Sequence, residues 1–310
     1  NEMTTEGEVD QVSEWWNTTL NERAWWHPIV KAIVTSGPVP HHVAFVMDGN
    51  RRFAKTHQLG HVIHGHEKGF HQLAKILDWC HELGVREVTV YAFSIENFKR
   101  SSDEVDGLMK LAEEKFKKLL DEKDKLMEKR ISFRFFGNIG MLPPKLRKYI
   151  AQIQLLTKNF ESGVVNVCMP YTSRDEMARA FELIRKGREK GLVAEHQISE
   201  WLISRCLDSR HGTEPNLLIR TSGEKRLSDF LLWQCSSCHV YFDDVLWPEF
   251  GFWNLCKAIL SYQYHSSSMQ EIRRCQKTAE PSEEELQALQ PFLDYVDATY
   301  DEMMHEFAEY

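Results

Sequence analysis

The chain has 310 residues, 42% of them apolar and 27% charged, with a formal net charge of −8. That is the composition of a soluble globular protein, one large α/β domain or two modest ones, and it excludes collagen-like, low-complexity and wholly disordered chains. No apolar run approaches the roughly 20 residues that span a bilayer, and the acidic balance argues against a nucleic-acid partner.

The charge is unevenly placed. Residues 280–310 hold ten acidic residues and no Lys or Arg, and residues 1–28 hold six acidic residues against Arg23 alone. The part between is therefore net basic, which suits an anionic ligand. The chain opens on Asn1 rather than Met, and no stretch reads as a secretory h-region. Seven irregularly spaced Cys then predict free thiols in a reducing compartment. On the same ground the sequon Asn17-Thr18-Thr19 is a chance match.

Residues 11–35 carry Trp15, Trp16, Trp25 and Trp26, then Ile29, Val30, Ile33 and Val34, and close on the turn Thr35-Ser36-Gly37-Pro38. Tryptophan favours boundaries that are apolar on one side and wet on the other. Residues 1–37 are thus an N-terminal amphipathic helical segment, lying on a membrane or docked on the domain's own core. Residues 38–265 show no linker and form one domain. Six short apolar or β-branched runs recur there: His42–Met47, Glu87–Phe93, Ile131–Gly137, Val164–Met169, Asn216–Arg220 and His239–Phe242. Helical patterns separate most of them, which predicts an α/β domain with a central, mainly parallel six-stranded sheet flanked by helices.

Three polar loops follow strand ends. Asp48-Gly49-Asn50-Arg51-Arg52 joins a strand to a helix, with Gly at the turn and two guanidinium groups that match phosphate oxygens. Asp48 is a candidate Mg²⁺ ligand, since Mg²⁺ commonly joins one carboxylate to substrate phosphates. At the sheet rim, its replacement should remove no core packing. Ser94-Ile95-Glu96-Asn97-Phe98-Lys99-Arg100 is the second loop. The third, Arg220 to Ser228, packs cations, hydroxyls and a Gly into a few residues that could grip a diphosphate. Parallel α/β sheets bind ligands at that edge, so the loops should converge.

One helix predicted from Ser101 places Val105, Leu108, Met109, Ala112, Phe116, Leu119, Leu120 and Met127 mostly at three- and four-residue steps. The stripe is a core-packing face or the wall of an apolar cavity. Cys235-Ser236-Ser237-Cys238-His239 fits a C-x-x-C-H haem or redox pattern but lies between an apolar run and a strand. Residues 266–310 form an acidic helical tail. It opens with a capping box at Ser282–Glu285, is interrupted at Pro291, and carries Phe292, Val296, Thr299, Met303 and Phe307 as a stripe for a partner helix or for the domain itself.

The residues His42 to Lys55, Gly65-His66, Tyr91 to Arg100 with Glu104, Ile219 to Gln234 and Leu246-Trp247-Pro248-Glu249 together resemble the cis-prenyltransferases, the undecaprenyl and dehydrodolichyl diphosphate synthase family. They span about residues 38–265 in the family's order. Their form is closer to the eukaryotic dolichol-pathway catalytic subunits than to the bacterial enzymes. The resemblance implies condensation of isopentenyl diphosphate onto an allylic diphosphate such as farnesyl diphosphate. The product would be a long-chain dehydrodolichyl diphosphate, for dolichol synthesis and protein glycosylation. It implies that Asp48 binds Mg²⁺ and that Asn97 serves the proton path. Gly49, Asn50, Arg51, Arg52 and His66 would surround the allylic diphosphate, and Arg220, Arg226 and Ser228 would hold isopentenyl diphosphate. Arg100 would lie nearby, with Ser94, Glu96 and Phe98 from its loop, and the stripe Val105–Leu120 would wall a tunnel for the prenyl chain.

Three departures qualify the match. A Glu that helps bind metal in many members aligns with His239, the family's C-terminal Arg-x-Gly is missing, and the Arg expected between Ala54 and Gly65 gives way to His57, His61 and His64. The first two imply a heteromer in which a Nogo-B-receptor-type subunit completes the site, a homodimer being the alternative. The resemblance further implies peripheral contact with the cytosolic face of the endoplasmic reticulum membrane. The competing readings are a non-catalytic scaffold subunit, which would lose the Asp-Gly-Asn-x-Arg loop retained here, and a C-x-x-C-H redox or haem protein.

Overall fold

The computed structural model describes residues 15–16, 24–276 and 280–309; the sequon at Asn17 lies outside them. In chain order the elements are α1 (His27–Thr35), β1 (His42–Val46), α2 (Asn50–Thr56), α3 (Val62–Glu82), β2 (Glu87–Tyr91), α4 (Ser102–Asp121), α5 (Lys123–Lys129), β3 (Ile131–Phe136), α6 (Pro144–Thr157) and β4 (Gly163–Cys168). Then come α7 (Ser173–Glu189), α8 (Glu200–Cys206), β5 (Leu217–Arg220), β6 (His239–Phe242), α9 (Phe252–Gln276) and α10 (Glu283–Glu309).

The six expected runs are the six strands, and they pair in one sheet of order β3-β4-β2-β1-β5-β6 with every pairing parallel. Both faces are covered. Val43, Phe45, Val88, Val90, Phe133, Phe135, Val165 and Val167 belong to the main core with residues of α3, α4, α6 and α9. Ala44, Val46, Phe136, Cys168 and Leu218 pack against Phe230, Leu231 and Cys238 on the other. Each of the Val, Leu and Phe side chains stabilises the fold by roughly 1.5–3 kcal/mol through burial. Crossovers between parallel strands place every loop that follows a strand at the same edge of the sheet.

Three expectations about the helices need correction or completion. The helix predicted from Ser101 through Met127 breaks at Glu122, where the backbone turns to φ −92°, ψ 29°. Met127 then falls on α5 and is exposed. Pro291 does not interrupt α10, which runs through it. A proline inside a helix costs about 3 kcal/mol or more, but Leu289, Phe292 and Val296 on either side are buried, and their packing offsets that cost. Those three residues join a second core with Ala180, Ile184 and Leu202 of α7 and α8. Further along, Tyr300 donates to Asp208 (3.1 Å) and Arg210 pairs with Asp297 (2.8 Å). The tail's stripe therefore folds back on the domain rather than facing a partner. Its capping box forms as expected: Glu285 N–H donates to Ser282 Oγ (3.3 Å) and Ser282 N–H to Glu285 Oε2 (2.8 Å).

At the N-terminal side Trp15 and Trp16 are buried in the main core, while Trp25 stands exposed and Trp26 stacks on Trp253 of α9 (4.9 Å). Among the described residues no helix is long and apolar enough to cross a membrane.

Candidate active site

A cavity of about 920 Å³ opens at the C-terminal edge of the sheet and runs down between the sheet, α3 and α4. Its mouth is polar. The loops after β1, β2 and β5 reach it together, with Asp48, Gly49, Asn50, Arg51, Arg52, Ser94, Glu96, Asn97, Arg100, Arg220, Arg226 and Ser228 all in the lining, joined by His66 from α3. Its lower walls are apolar: Leu108, Leu111, Ala112 and Phe116 of α4, Phe70 and Leu73 of α3, and Val90, Val165 and Val167 of the sheet.

Local geometry fixes the mouth. Gly49 caps α2 at φ +105°, the left-handed region that a side chain would strain. A Cβ on Gly65 would stand 2.2 Å from the Asn50 carbonyl oxygen, so its absence lets α3 close on α2. Asn50 Nδ2 donates to Met47 O (3.1 Å), and Asn50 Oδ1 is buried without a partner. Thr221 ties the ends of β1 and β5: its hydroxyl donates to Asp48 O (2.8 Å) and accepts from Asp48 N–H (3.1 Å).

Arg220 is the pivot. Its side chain is 2% exposed, and Nη2 donates to Asp48 Oδ2 at 2.9 Å. Nη1 donates to Ser228 Oγ (2.7 Å) and to the Arg226 carbonyl, while Nε is buried without a partner. The second oxygen of Asp48 accepts from Gly49 N–H (2.7 Å). Around this pair Arg52 donates to Ser222 O (3.0 Å) and Ser222 Oγ (2.5 Å) and stands 3.6 Å from Glu224. Arg226 pairs with Glu224, Arg100 with Glu104 (2.7 Å), Arg51 with Glu104 (4.0 Å) and Arg174 with Asp229 (2.8 Å). Four carboxylates thus serve six guanidinium groups, and the mouth stays cationic even with every pair made. Burial pulls the Arg100 guanidinium below its ordinary value, against the opposing pull of Glu104. His66 is held down to about 4, first by burial and then by Arg100 and Arg51. The neutral imidazole leaves Nε2 buried and unpartnered.

Phe98 is corrected. It is not in the lining: the short 3-10 turn Ile95–Lys99 points Asn97 to the cavity and turns the Phe98 ring edge-on to Phe93 (4.9 Å), against the main core. His57, His61 and His64 are not in the lining either. They stack on Phe53 (4.0 Å), cap α3 and pair with Glu67 (3.0 Å). His239, also outside the lining, bonds Ser261 Oγ through Nε2 (2.9 Å) and stacks on His265 (4.8 Å). The C-x-x-C-H motif therefore does not gather a metal or haem site, and among the described residues no three His, Cys, Asp or Glu side chains group as metal ligands. The sequence reading missed Arg174 and Asp229. Arg174 follows β4, so the same rule that found the other loops, polar residues just past a strand end, would have found it.

Over residues 46–270 the chain matches the family model for undecaprenyl diphosphate synthase, a prenyltransferase. The chain belongs to this family of cis-prenyltransferases. It is 49% identical over 252 residues to the human dehydrodolichyl diphosphate synthase complex subunit DHDDS, covering 81% of this chain and 75% of that one. It is 40% identical to a tritrans,polycis-undecaprenyl-diphosphate synthase (geranylgeranyl-diphosphate specific) of Pyrococcus horikoshii, over 74% of this chain and 86% of the other. The crystal structure of lavandulyl diphosphate synthase from Lavandula x intermedia superposes with a TM-score of 0.68 at 32% identity. It covers 73% of this chain and 95% of that one. This cis-prenyltransferase is accordingly an enzyme that makes polyprenyl diphosphates. The scaffold and haem readings fall away.

Proposed function

We propose that this cis-prenyltransferase extends farnesyl diphosphate with isopentenyl diphosphate, holding both diphosphates in the arginine-rich mouth and the prenyl tail between α3, α4 and the sheet. The observation that carries the reading is the union, in one cavity, of six arginines served by four carboxylates with an apolar lower wall. The C1–O bond of the allylic diphosphate breaks, the double bond of isopentenyl diphosphate supplies electrons to C1, and a proton leaves to set the new cis double bond. Arg51, Arg52 and His66, with the Gly49-Asn50 backbone, receive the allylic diphosphate. Arg226 and Ser228 receive that of isopentenyl diphosphate, with Arg220 beneath them and Arg100 beside them. Guanidinium groups stabilise the leaving charge, and joint binding supplies proximity. Ser94, Glu96 and Asn97 line the same loop, where Asn97 positions the departing proton.

A rim carboxylate that belongs to no group of three candidate ligands among the described residues fits Mg²⁺ held jointly with substrate phosphates and not a resident all-protein site. Asp48 is that carboxylate, and bound Mg²⁺ would neutralise diphosphate charge. Asp48 would exchange part of its contact with Arg220 for the metal.

The chain acts as the catalytic subunit of a heteromer with a Nogo-B-receptor-type subunit. The supporting observation is a His239 that lies outside the cavity lining. Peripheral contact with the endoplasmic reticulum membrane is supported by the exposed Trp25, Ile29 and Ile33 at α1 beside Trp253 on α9. Incorporation of radiolabelled isopentenyl diphosphate onto farnesyl diphosphate by the purified chain, with and without that subunit, tests the proposal. Weak activity alone and strong activity together are expected. Full activity alone, unchanged by the subunit, overturns the heteromer, and no incorporation in either case overturns the substrate assignment.

A further inference from the structure

Arg174 reaches the cavity mouth from the end of β4, and its carboxylate partner is Asp229, one residue past Ser228. The contact is made twice. Arg174 Nε donates to Asp229 Oδ2 at 2.8 Å, and the Arg174 backbone N–H donates to Asp229 Oδ1 at 3.3 Å. The Arg174 side chain is 75% exposed, whereas that of Asp229 is 14% exposed. Ser173, the residue before, is fully buried. Its N–H donates to the Asp229 carbonyl (2.8 Å), and its hydroxyl accepts from Leu232 N–H (2.7 Å). From the end of β2, the Tyr91 hydroxyl is shared between Tyr171 O (3.0 Å) and Ser228 O (3.2 Å), and its ring stacks on Phe230 (4.4 Å).

The segment held in this way would not keep its shape alone. Ser228, Asp229 and Leu231 sit at φ +52°, +57° and +46°. That is the left-handed region, which carries a steric penalty for any residue with a Cβ. A run of such residues persists only where its surroundings over-determine it, and here the surroundings are the ends of β2 and β4. The consequence of the shape is felt at Ser228. Its Oγ turns to Arg220 Nη1 (2.7 Å), which also donates to the Arg226 carbonyl, and all three residues line the mouth. Were residues 228 and 229 to relax to extended backbone, the Ser228 hydroxyl would leave both Arg220 and the mouth.

We propose that Asp229 and Arg174 are positioning residues for isopentenyl diphosphate: their ion pair clamps the strained turn 228–231 from the β4 side and so presents Ser228, with Arg220 and Arg226, to the diphosphate. The inference rests on the reading of Arg226 and Ser228 as the isopentenyl site. It gives the Arg174 guanidinium a partner within the protein, since Nε is committed to Asp229. Exposed ion pairs contribute little. This one ends on a carboxylate that is mostly buried and that receives a backbone N–H besides the guanidinium, so it fixes the turn in direction as well as in charge.

The test is steady-state kinetics of the active enzyme, full-length chain, with each substrate varied in turn and the fold of every variant checked by thermal unfolding. Arg226→Ala is the reference for the site itself. Asp229→Ala and Arg174→Ala should each raise KM for isopentenyl diphosphate by roughly ten-fold, the scale of one lost charge-assisted hydrogen bond, and leave KM for the allylic substrate unchanged. Asp229→Asn enters the left-handed region readily and keeps an acceptor for the Arg174 N–H, so its KM should stay within about three-fold of wild type. Asp229→Ala combined with Arg174→Ala should raise KM no further than either alone, because each removes the same clamp. Rises that multiply in the double variant overturn the clamp, as do equal rises for both substrates. A rise in Arg174→Ala with none in Asp229→Ala also overturns it, since Arg174 would then contact the diphosphate directly. Should Asp229→Ala fail to fold, Arg174→Ala and Asp229→Asn carry the same comparison. If Arg226→Ala itself leaves KM for isopentenyl diphosphate unchanged, the reading of the site fails and the clamp with it; a rise there without one in Asp229→Ala and Arg174→Ala overturns the clamp alone.

Discussion

Asp48→Ala separates two roles that the sequence merges. A residue at the sheet rim should be replaceable without harm to the fold, yet Asp48 Oδ2 is the carboxylate partner of Arg220, whose side chain is 2% exposed. Removing it leaves a buried guanidinium with only the Ser228 hydroxyl and the Arg226 carbonyl, and with Nε already unpartnered. Breaking a fully buried pair from one side costs about 3–5 kcal/mol. Asp48 is itself 35% exposed, so water screens part of the loss, and a range of about 1–3 kcal/mol is the better expectation. For a chain of 310 residues that is a fall in Tm of roughly 1.5–5 °C. Asp48→Asn keeps an oxygen toward Arg220 and should lose about half as much, while turnover falls by orders of magnitude in both variants because neither supplies a charge for Mg²⁺. Thermal unfolding by calorimetry, beside single-turnover rates at saturating Mg²⁺, gives both numbers. A Tm for Asp48→Ala within 1 °C of wild type would show that Arg220 does not depend on Asp48. Retained turnover would remove Asp48 from the chemistry.

Arg226 is the clean probe of the isopentenyl site, because Arg220 cannot be removed without stranding Asp48. Arg226→Ala should raise KM for isopentenyl diphosphate by roughly ten-fold, the lower end expected for an exposed charge-assisted contact, and leave KM for the allylic substrate unchanged; equal rises in both refute the two-site assignment. His66 is held neutral, so its contribution to stability is fully present above the ordinary value of 6.5 and is lost as pH falls from there toward about 4. The loss reaches roughly 3 kcal/mol at the acid limit. His66→Gln should flatten the fall in stability between pH 6.5 and 4.5 in denaturant titrations, and parallel curves would refute the assignment. In α7, a Cβ on Gly187 would stand 2.2 Å from Phe292 Cε2. Gly187→Ala should therefore cost about 1–3 kcal/mol by overpacking and speed proteolysis of α10, and an unchanged Tm with intact α10 would show that the helix does not dock there.

Much of this molecule could be read from its sequence, for a physical reason. The six strands are short β-branched or aromatic runs bounded by polar loops, and each formed within about two residues of its expected ends. Their common direction follows from the helices between them. The convergence of Asp48, Asn97, Arg220 and their neighbours then follows from the rule that loops after parallel strands share an edge. What pattern cannot supply is the third dimension within a stripe. Leu108, Ala112 and Phe116 face the cavity while Met109 and Leu119 of the same helix are buried in the core. A periodicity of 3.6 gives both sets the same signature.

The same limit explains both ends of the chain. An apolar stripe on an acidic helix says that something must cover it, not what. In α10 the cover is the domain's own α7 and α8, because Gly187 leaves a gap in which the Phe292 ring sits. The tryptophans near the N-terminus divide likewise. Trp25 stands free at the surface, while Trp15, ten residues earlier, is in the prenyl cavity with its indole N–H on the Lys115 carbonyl. Nothing in the spacing of the four tryptophans distinguishes the two pairs. The distinction comes from the space between α3, α4 and β3, where Phe70, Phe116 and Phe133 leave room for one indole. The domain's aromatic walls, set by residues 70 to 133, thus decide which part of the N-terminal segment becomes part of the site.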